Sequence, residues 1–172
     1  TGEGEIVVRA RNIMKGYYRN EEETGKVFTE DGYFRTGDLG IIDSKGILFI
    51  KGRLKNMILG PNGENIYPEE IEAVINGMQY VSESLVFQHK GKLTALVYLN
   101  LEQLEEKFQH VLQSAHDAQK VITEKAEEML EEMKDAVNQH LSNNSRLQMV
   151  MLQTVPFEKT PTQKIKRFLY NS

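Results

Sequence analysis

Three short stretches of this chain combine residue types that handle anions and sugars. In "YFRTGDLG" the carboxylate Asp38 lies between Gly37 and Gly40. A glycine-flanked turn lets the backbone approach a ligand closely, and a short acid there can accept hydrogen bonds from a sugar diol or simply cap the turn. One hairpin later, Arg53 in "KGRLKN" offers a planar fork that suits a phosphate, a carboxylate or a surface ion pair. "LGPNGEN" is the strongest loop signal, with Gly60, Pro61 and Gly63 close together ahead of a helical pattern. The chain closes on "FEKTPTQKIKRFLYNS", where Lys164, Lys166 and Arg167 cluster. That ending fits a solvated tail, a nucleic-acid patch, or a lysine delivered to an anionic substrate.

Composition narrows the choice. The chain has 172 residues, no cysteine and a net charge of −4, so neither a disulfide framework nor a thiolate metal site can form. Residues 101–145 hold 4 basic against 10 acidic side chains, and residues 146–172 hold 5 against 1. Nucleic-acid binding needs a basic field over a whole face rather than one short tail, so no nucleic-acid partner is expected. No apolar run approaches the roughly 20 residues of a membrane helix, and nothing at the start resembles a signal peptide, so a cytoplasmic location is expected. His110 and His116 are spaced so that they do not share a helical face, and no metal site is expected.

These side chains need elements to position them. "GEIVVRA" reads as a strand and "MKGYYRN" as turn chemistry. With no strand ahead of it, its partner is expected upstream of Thr1, because an unpaired edge is a liability. "IIDSKGILFIKGR" predicts two strands around Asp43-Ser44-Lys45-Gly46. Pro68 suits a first helical turn, Glu69, Glu70 and Glu72 favour its positive end, and Ile71, Val74 and Ile75 supply an apolar face. "VSESLVFQ" and "LTALVYL" flank a hairpin turn at His89 to Lys92. Between Lys92 and Val155 there is no glycine or proline. Leu101, Leu104, Phe108, Val111, Ala115, Ala118, Ile122, Ala126, Met129, Met133 and Ala136 recur every third or fourth position there, and Leu141 follows after five. That predicts two helices, or one bent near Ser114 to Asp117. "LQMVMLQTV" reads as a last strand.

Taken in order, four motifs resemble the C-terminal third of the adenylate-forming enzymes, the superfamily of acyl-CoA synthetases, luciferases and peptide synthetase adenylation domains. "GEIVVRARNIMKGYYRNEEET" is similar to the family's G-E-[IL]-x-[IV] stretch with its later G-Y and T. "GYFRTGDLG" resembles [WY]-[FL]-x-T-G-D, and "GRLKNMILGPNGENIYPEEIE" resembles the G-R-x-[DK]-[DE]-x-I hinge with its glycine loop. The tail resembles T-x-x-G-K-[IVL]-x-[KR]. Among family members, the Gly-Glu-Asn-Ile-Tyr-Pro version of the loop looks most like long-chain fatty acid ligases.

The resemblance implies an α+β fold. Residues 1–53 would carry the last β-strands of a large AMP-binding domain. Residues 54–172 would form a small mobile α/β domain with a short mixed sheet, a hairpin and flanking helices, including a long helical insert at 101–145. It implies that Asp38 binds the ribose hydroxyls of ATP, that Arg53 contacts the nucleotide, and that Lys55 is the hinge. Gly60, Gly63, Glu64 and Asn65 would border the CoA channel, and Lys164 would be catalytic. The parent enzyme would use a fatty acid, ATP with Mg2+, and CoA. Its N-terminal domain would be this chain's partner, peripheral membrane contact would be possible, and the fragment alone would be inactive. No phosphate loop occurs in the chain, so it is expected upstream. Three positions depart from the pattern: Gln163 stands where glycine is usual, Glu158 replaces a proline, and Asn56 replaces an acid. Glutamine reaches positive φ less readily than glycine, so Lys164 is expected to approach differently or only on domain closure. Two other readings fit the same residues: a non-catalytic module that kept the fold, and an adenylation domain acting on a carrier protein.

Overall fold

A computed structural model describes residues 2–112 and 117–170. The chain divides into two compact units, the first ending at Met57 and the second starting at Ile58.

In the first unit, β1 (Glu3–Val8), β2 (Phe34–Ile42) and β3 (Leu48–Arg53) form an antiparallel sheet with β2 central. The partner of β1 is therefore β2, with Glu3 opposite Ile41 and Val8 opposite Phe34. One edge of β1 is thus paired within the chain, because the intervening turns and helix α1 (Glu21–Lys26) return it alongside β1, and its outer edge has no strand beside it among the described residues. Asn20 starts α1 by accepting the Glu23 N–H at 3.1 Å, and Glu21, Glu22 and Glu23 complement the positive end of the helix. The β2–β3 turn is closed by Asp43, whose Oδ1 accepts the N–H groups of Lys45 at 2.8 Å and Ile47 at 2.9 Å. Leu48, Phe49 and Ile50 of β3 are all exposed, Ile50 by 69%. Successive strand residues point to opposite faces, so this apolar run is the pattern of a strand covered on both sides.

The second unit begins with a small hairpin of β4 (Ile58–Leu59) and β5 (Asn65–Ile66), followed by helix α2 (Pro68–Asn76). A mixed sheet then forms in the order β6 (Val81–His89), β7 (Lys92–Leu99), β8 (Met149–Gln153). A tight turn joins the antiparallel β6 and β7, whereas β8 runs parallel to β7 and so needs a long crossover. Helices α3 (Leu101–Leu112) and α4 (Ala118–His140) occupy that crossover. The bend expected near Ser114 to Asp117 falls largely on residues 113–116, outside the described ones. Asp117 caps α4 by accepting the Lys120 N–H at 3.1 Å.

Both faces of the mixed sheet are covered. On one, Val86, Ala95 and Val97 pack with Ile71 and Ile75 of α2 and with Leu104, Ile122, Ala126, Leu130, Met133 and Val137 of the two long helices. The stripe on α4 thus runs through Leu130 and Val137, and Met129 and Ala136 are only partly buried. A helix of 3.6 residues per turn shifts a mixed three-and-four count by one position within a few turns, and adjacent apolar pairs hide the shift in sequence. On the other face, Leu85, Phe87 and Leu96 enclose Phe157, with Tyr98, Ile165 and Tyr170 packed against them. That second cluster fastens the C-terminal tail to the sheet.

Candidate functional site

Asp38 and Arg53 meet in the first unit. They are register partners on β2 and β3, and Arg53 Nη1 lies 3.0 Å from Asp38 Oδ1 while donating to the Thr36 carbonyl at 2.9 Å. The Thr36 hydroxyl accepts the Asp38 N–H at 3.0 Å and donates to the Ile6 carbonyl at 2.7 Å. Gly37 has a φ of +70°, a turn in the strand that side chains beyond glycine adopt only under strain. The sheet therefore sets the acid and the guanidinium side by side without help from a remote segment. Both remain open to a ligand, with 33% of the Asp38 side chain and 42% of the Arg53 side chain exposed.

Lys55 sits in a one-turn 3-10 helix, Leu54–Asn56, at the end of the first unit. The loop from Gly60 to Asn65 opens the second. Gly60 donates to the Glu64 carbonyl at 2.8 Å and Gly63 to the Gly60 carbonyl at 3.0 Å, and Gly63 holds a φ of +81°. Beneath the loop is a cavity of about 180 Å3 bordered by Ile58, Glu64, Gln88, Arg146 and Gln148. Both Glu64 carboxylate oxygens are buried, with no hydrogen-bond partner among the described residues. A buried acceptor without a donor is unfavourable, so the site suits an incoming N–H or O–H group.

Lys164 belongs to the second unit and stands at the end of a closed turn. Gln163 donates its N–H to the Thr160 carbonyl at 2.9 Å, and Thr160 donates to the Lys164 carbonyl at 2.8 Å. Pro161 presets the first corner, and the residue before Lys164 falls in the left-handed region, as in three-residue hairpin loops that favour glycine there. Gln163 adopts that conformation with a φ of +62°, at a cost of about 1–2 kcal/mol. The glycine-type turn is kept despite the substitution. The neighbouring cations are neutralised: Lys159 by Glu83 at 2.7 Å, Lys166 by Glu158 at 3.1 Å, and Arg167 by Glu72. Lys164 is exposed and pairs with no carboxylate among the described residues.

Sequence reasoning grouped Glu72 with Glu69 and Glu70 at the positive start of α2 and missed that it faces inward. It is 8% exposed, with one carboxylate oxygen accepting the Val86 N–H at 2.6 Å and the other held by Arg167. Burial raises the Glu72 carboxyl above its ordinary range, and Arg167 and the Val86 N–H pull it partly back. The signal was present: Pro68, Ile71, Glu72 and Ile75 are the buried residues of α2 and follow the apolar spacing of a core-facing helix. An acid inside that stripe has to find a partner.

No three His, Cys, Asp or Glu residues are grouped to hold a metal among the described residues. No helix among them is long and apolar enough to cross a membrane. A groove of about 890 Å3 between α3 and α4 is lined by Glu102, Glu105, Glu106 and Gln109, and none of the candidate residues borders it.

No protein-family model matches the chain. A long-chain-fatty-acid–CoA ligase of Mycobacterium tuberculosis, FadD13, is 51% identical over 85 residues, covering 49% of this chain and 16% of that protein. A 2-succinylbenzoate–CoA ligase of Bacillus pumilus is 46% identical over 81 residues, covering 47% of this chain and 16% of that protein. Among solved structures, the ATP-bound RpMatB-BxBclM chimera B1 superposes with a TM-score of 0.72 at 30% identity, covering 99% of this chain and 30% of that one. The chain spans well under half the length of each.

Proposed function

This chain is homologous to the C-terminal part of acyl-CoA ligases of the adenylate-forming superfamily, and on that footing we propose that it is the mobile C-terminal portion of an ATP-dependent fatty acid–CoA ligase. The observation that carries the reading is the Lys164 turn, which presents an ammonium unpaired among the described residues while the cations around it are neutralised. In the first half-reaction a fatty acid carboxylate attacks the α-phosphorus of ATP, a phosphorus–oxygen bond forms, and pyrophosphate leaves. Two anions converge at that step, and a lysine ammonium brought to the phosphate stabilises the added charge without giving up its proton. Asp38 accepts the ribose hydroxyls, and Arg53, bonded to Asp38 and to the Thr36 carbonyl, keeps the acid facing the nucleotide.

The second half-reaction needs a different pose. We place the hinge at Lys55, next to the division between the compact units, with residues up to Arg53 belonging to the large domain and the rest to the small one. Rotation there carries Lys164 away and brings the Gly60–Asn65 loop to the thiol path. The CoA sulfur then attacks the acyl carbonyl and AMP leaves. The Glu64 carboxylate, without a partner among the described residues, suits a pantetheine amide N–H. The uncovered apolar run on β3 supports a large domain packed against it, and with it the inactivity of this chain on its own. A long acyl chain is favoured by the loop sequence and by the likeness to the mycobacterial ligase.

The test uses the intact protein that carries this chain. It should catalyse carboxylate-dependent ATP–pyrophosphate exchange and form a CoA thioester, best with long-chain acids. Exchange that proceeds with amino acids, with transfer to a carrier protein and none to CoA, would move the assignment to a peptide synthetase. No exchange with any carboxylate would leave a non-catalytic module.

A further inference from the structure

We propose that Arg167 is a positioning residue for Lys164, fixing the turn that presents the lysine by bridging Glu72 and the backbone of Val86. This rests on the assignment of Lys164 to the adenylation step. Strand β6 lies at the edge of its sheet, and at Val86 both backbone groups are met by side chains. The Val86 N–H donates to Glu72 at 2.6 Å, and the Val86 carbonyl accepts from Arg167 Nη1 at 3.3 Å. Arg167 Nη2 closes the ring on the second Glu72 oxygen. Carboxylate and guanidinium together replace the neighbouring strand that β6 lacks.

The ring joins segments that hydrophobic packing alone orients poorly. Ile71 and Ile75 already hold α2 against the sheet, and Ile165 and Tyr170 hold the tail, but apolar contact is non-directional. A two-pronged bridge to a carboxylate and a carbonyl fixes both position and rotation. The backbone from Lys164 to Arg167 is short and internally bonded: Lys166 donates to the Glu158 carbonyl at 2.8 Å and Arg167 to the Ile165 carbonyl at 3.0 Å. On the other side of the turn, Lys159 pairs with Glu83 of the same strand. Both legs of the Lys164 turn are thus tied to β6, and only the Arg167 leg uses a buried partner.

The experiment compares Arg167→Met, Arg167→Lys and Glu72→Gln in the intact protein, with Lys164→Ala alongside. Amide hydrogen exchange at Thr160, Gln163 and Lys166 is read together with the two half-reactions. In Arg167→Met, exchange at those amides should rise at least about 10-fold while α4 and β7 stay unchanged. Its adenylation kcat should fall about 100-fold, with the KM for ATP and thioester transfer from preformed acyl-adenylate each within about 3-fold. Arg167→Lys keeps the charge but not the fork and should fall between, and Glu72→Gln should follow Arg167→Met in direction. Unchanged tail exchange, an equal rise in α4 and β7 in the milder variants, or parallel loss of both half-reactions would overturn the proposal. If Lys164→Ala leaves adenylation intact, the role of the lysine fails, and the exchange pattern alone still decides whether Arg167 orders the turn.

Discussion

Asp38 and Arg53 meet across a ladder of backbone hydrogen bonds, whereas Lys164 stands on a turn tied down by side chains from β6, α2 and the tail itself. The first arrangement is inherited from strand register and survives most changes to neighbouring side chains. The second depends on the side chains that hold it, so a single substitution there can loosen the turn.

The comparison breaks most visibly at Asp38. Asp38→Asn in the intact protein should weaken ATP binding by roughly 10–100-fold, as expected for charge-assisted hydrogen bonds. Its unfolding free energy should change by no more than about 1 kcal/mol, because a half-exposed ion pair contributes little. Isothermal titration with ATP and a denaturant curve check the two halves of this statement. Gly37→Val should act in the opposite sense, on the scaffold. A β-branched residue at a φ of +70° should destabilise the first unit by about 1–2 kcal/mol, read as a shifted denaturation midpoint. The tail offers the smallest effect. Gln163→Gly relieves the left-handed strain but adds freedom to the unfolded chain, leaving a gain of about 0.5 kcal/mol. Protection of the Gln163 and Thr160 amides should rise roughly 2-fold.

Much of this was legible in the sequence where chemistry is local. Gly37 and Asp38 in a glycine-flanked turn, the Pro68 helix start and the turn at Lys90-Gly91 all follow from residues within a few positions of one another. What escaped depends on distant pairing. The partner of β1 is β2, reached only after a helix and several turns, and no local signal marks it. Glu72 and Arg167 are separated by 95 positions, so the acid reads with Glu69 and Glu70 as favouring the positive helix start and the arginine as one of three clustered cations in the tail. The offset of the α4 stripe at Leu130 and Val137 has a different origin, since neighbouring apolar residues make two helical registers equally plausible. Gln163 shows the converse: the turn demanded a left-handed residue, and the surrounding hydrogen bonds hold a glutamine there.

The central claim is that Lys164 serves adenylation and not thioester transfer, and the half-reactions of Lys164→Ala in the intact protein test it directly. Carboxylate-dependent ATP–pyrophosphate exchange should fall by about 100- to 1,000-fold, the loss expected when one preorganised charge is removed from a developing anion. Transfer from preformed acyl-adenylate to CoA should stay within about 3-fold of the unmodified enzyme, since in the proposed cycle rotation at Lys55 carries Lys164 away before that step. An equal loss in both half-reactions, or none in the first, would contradict the account.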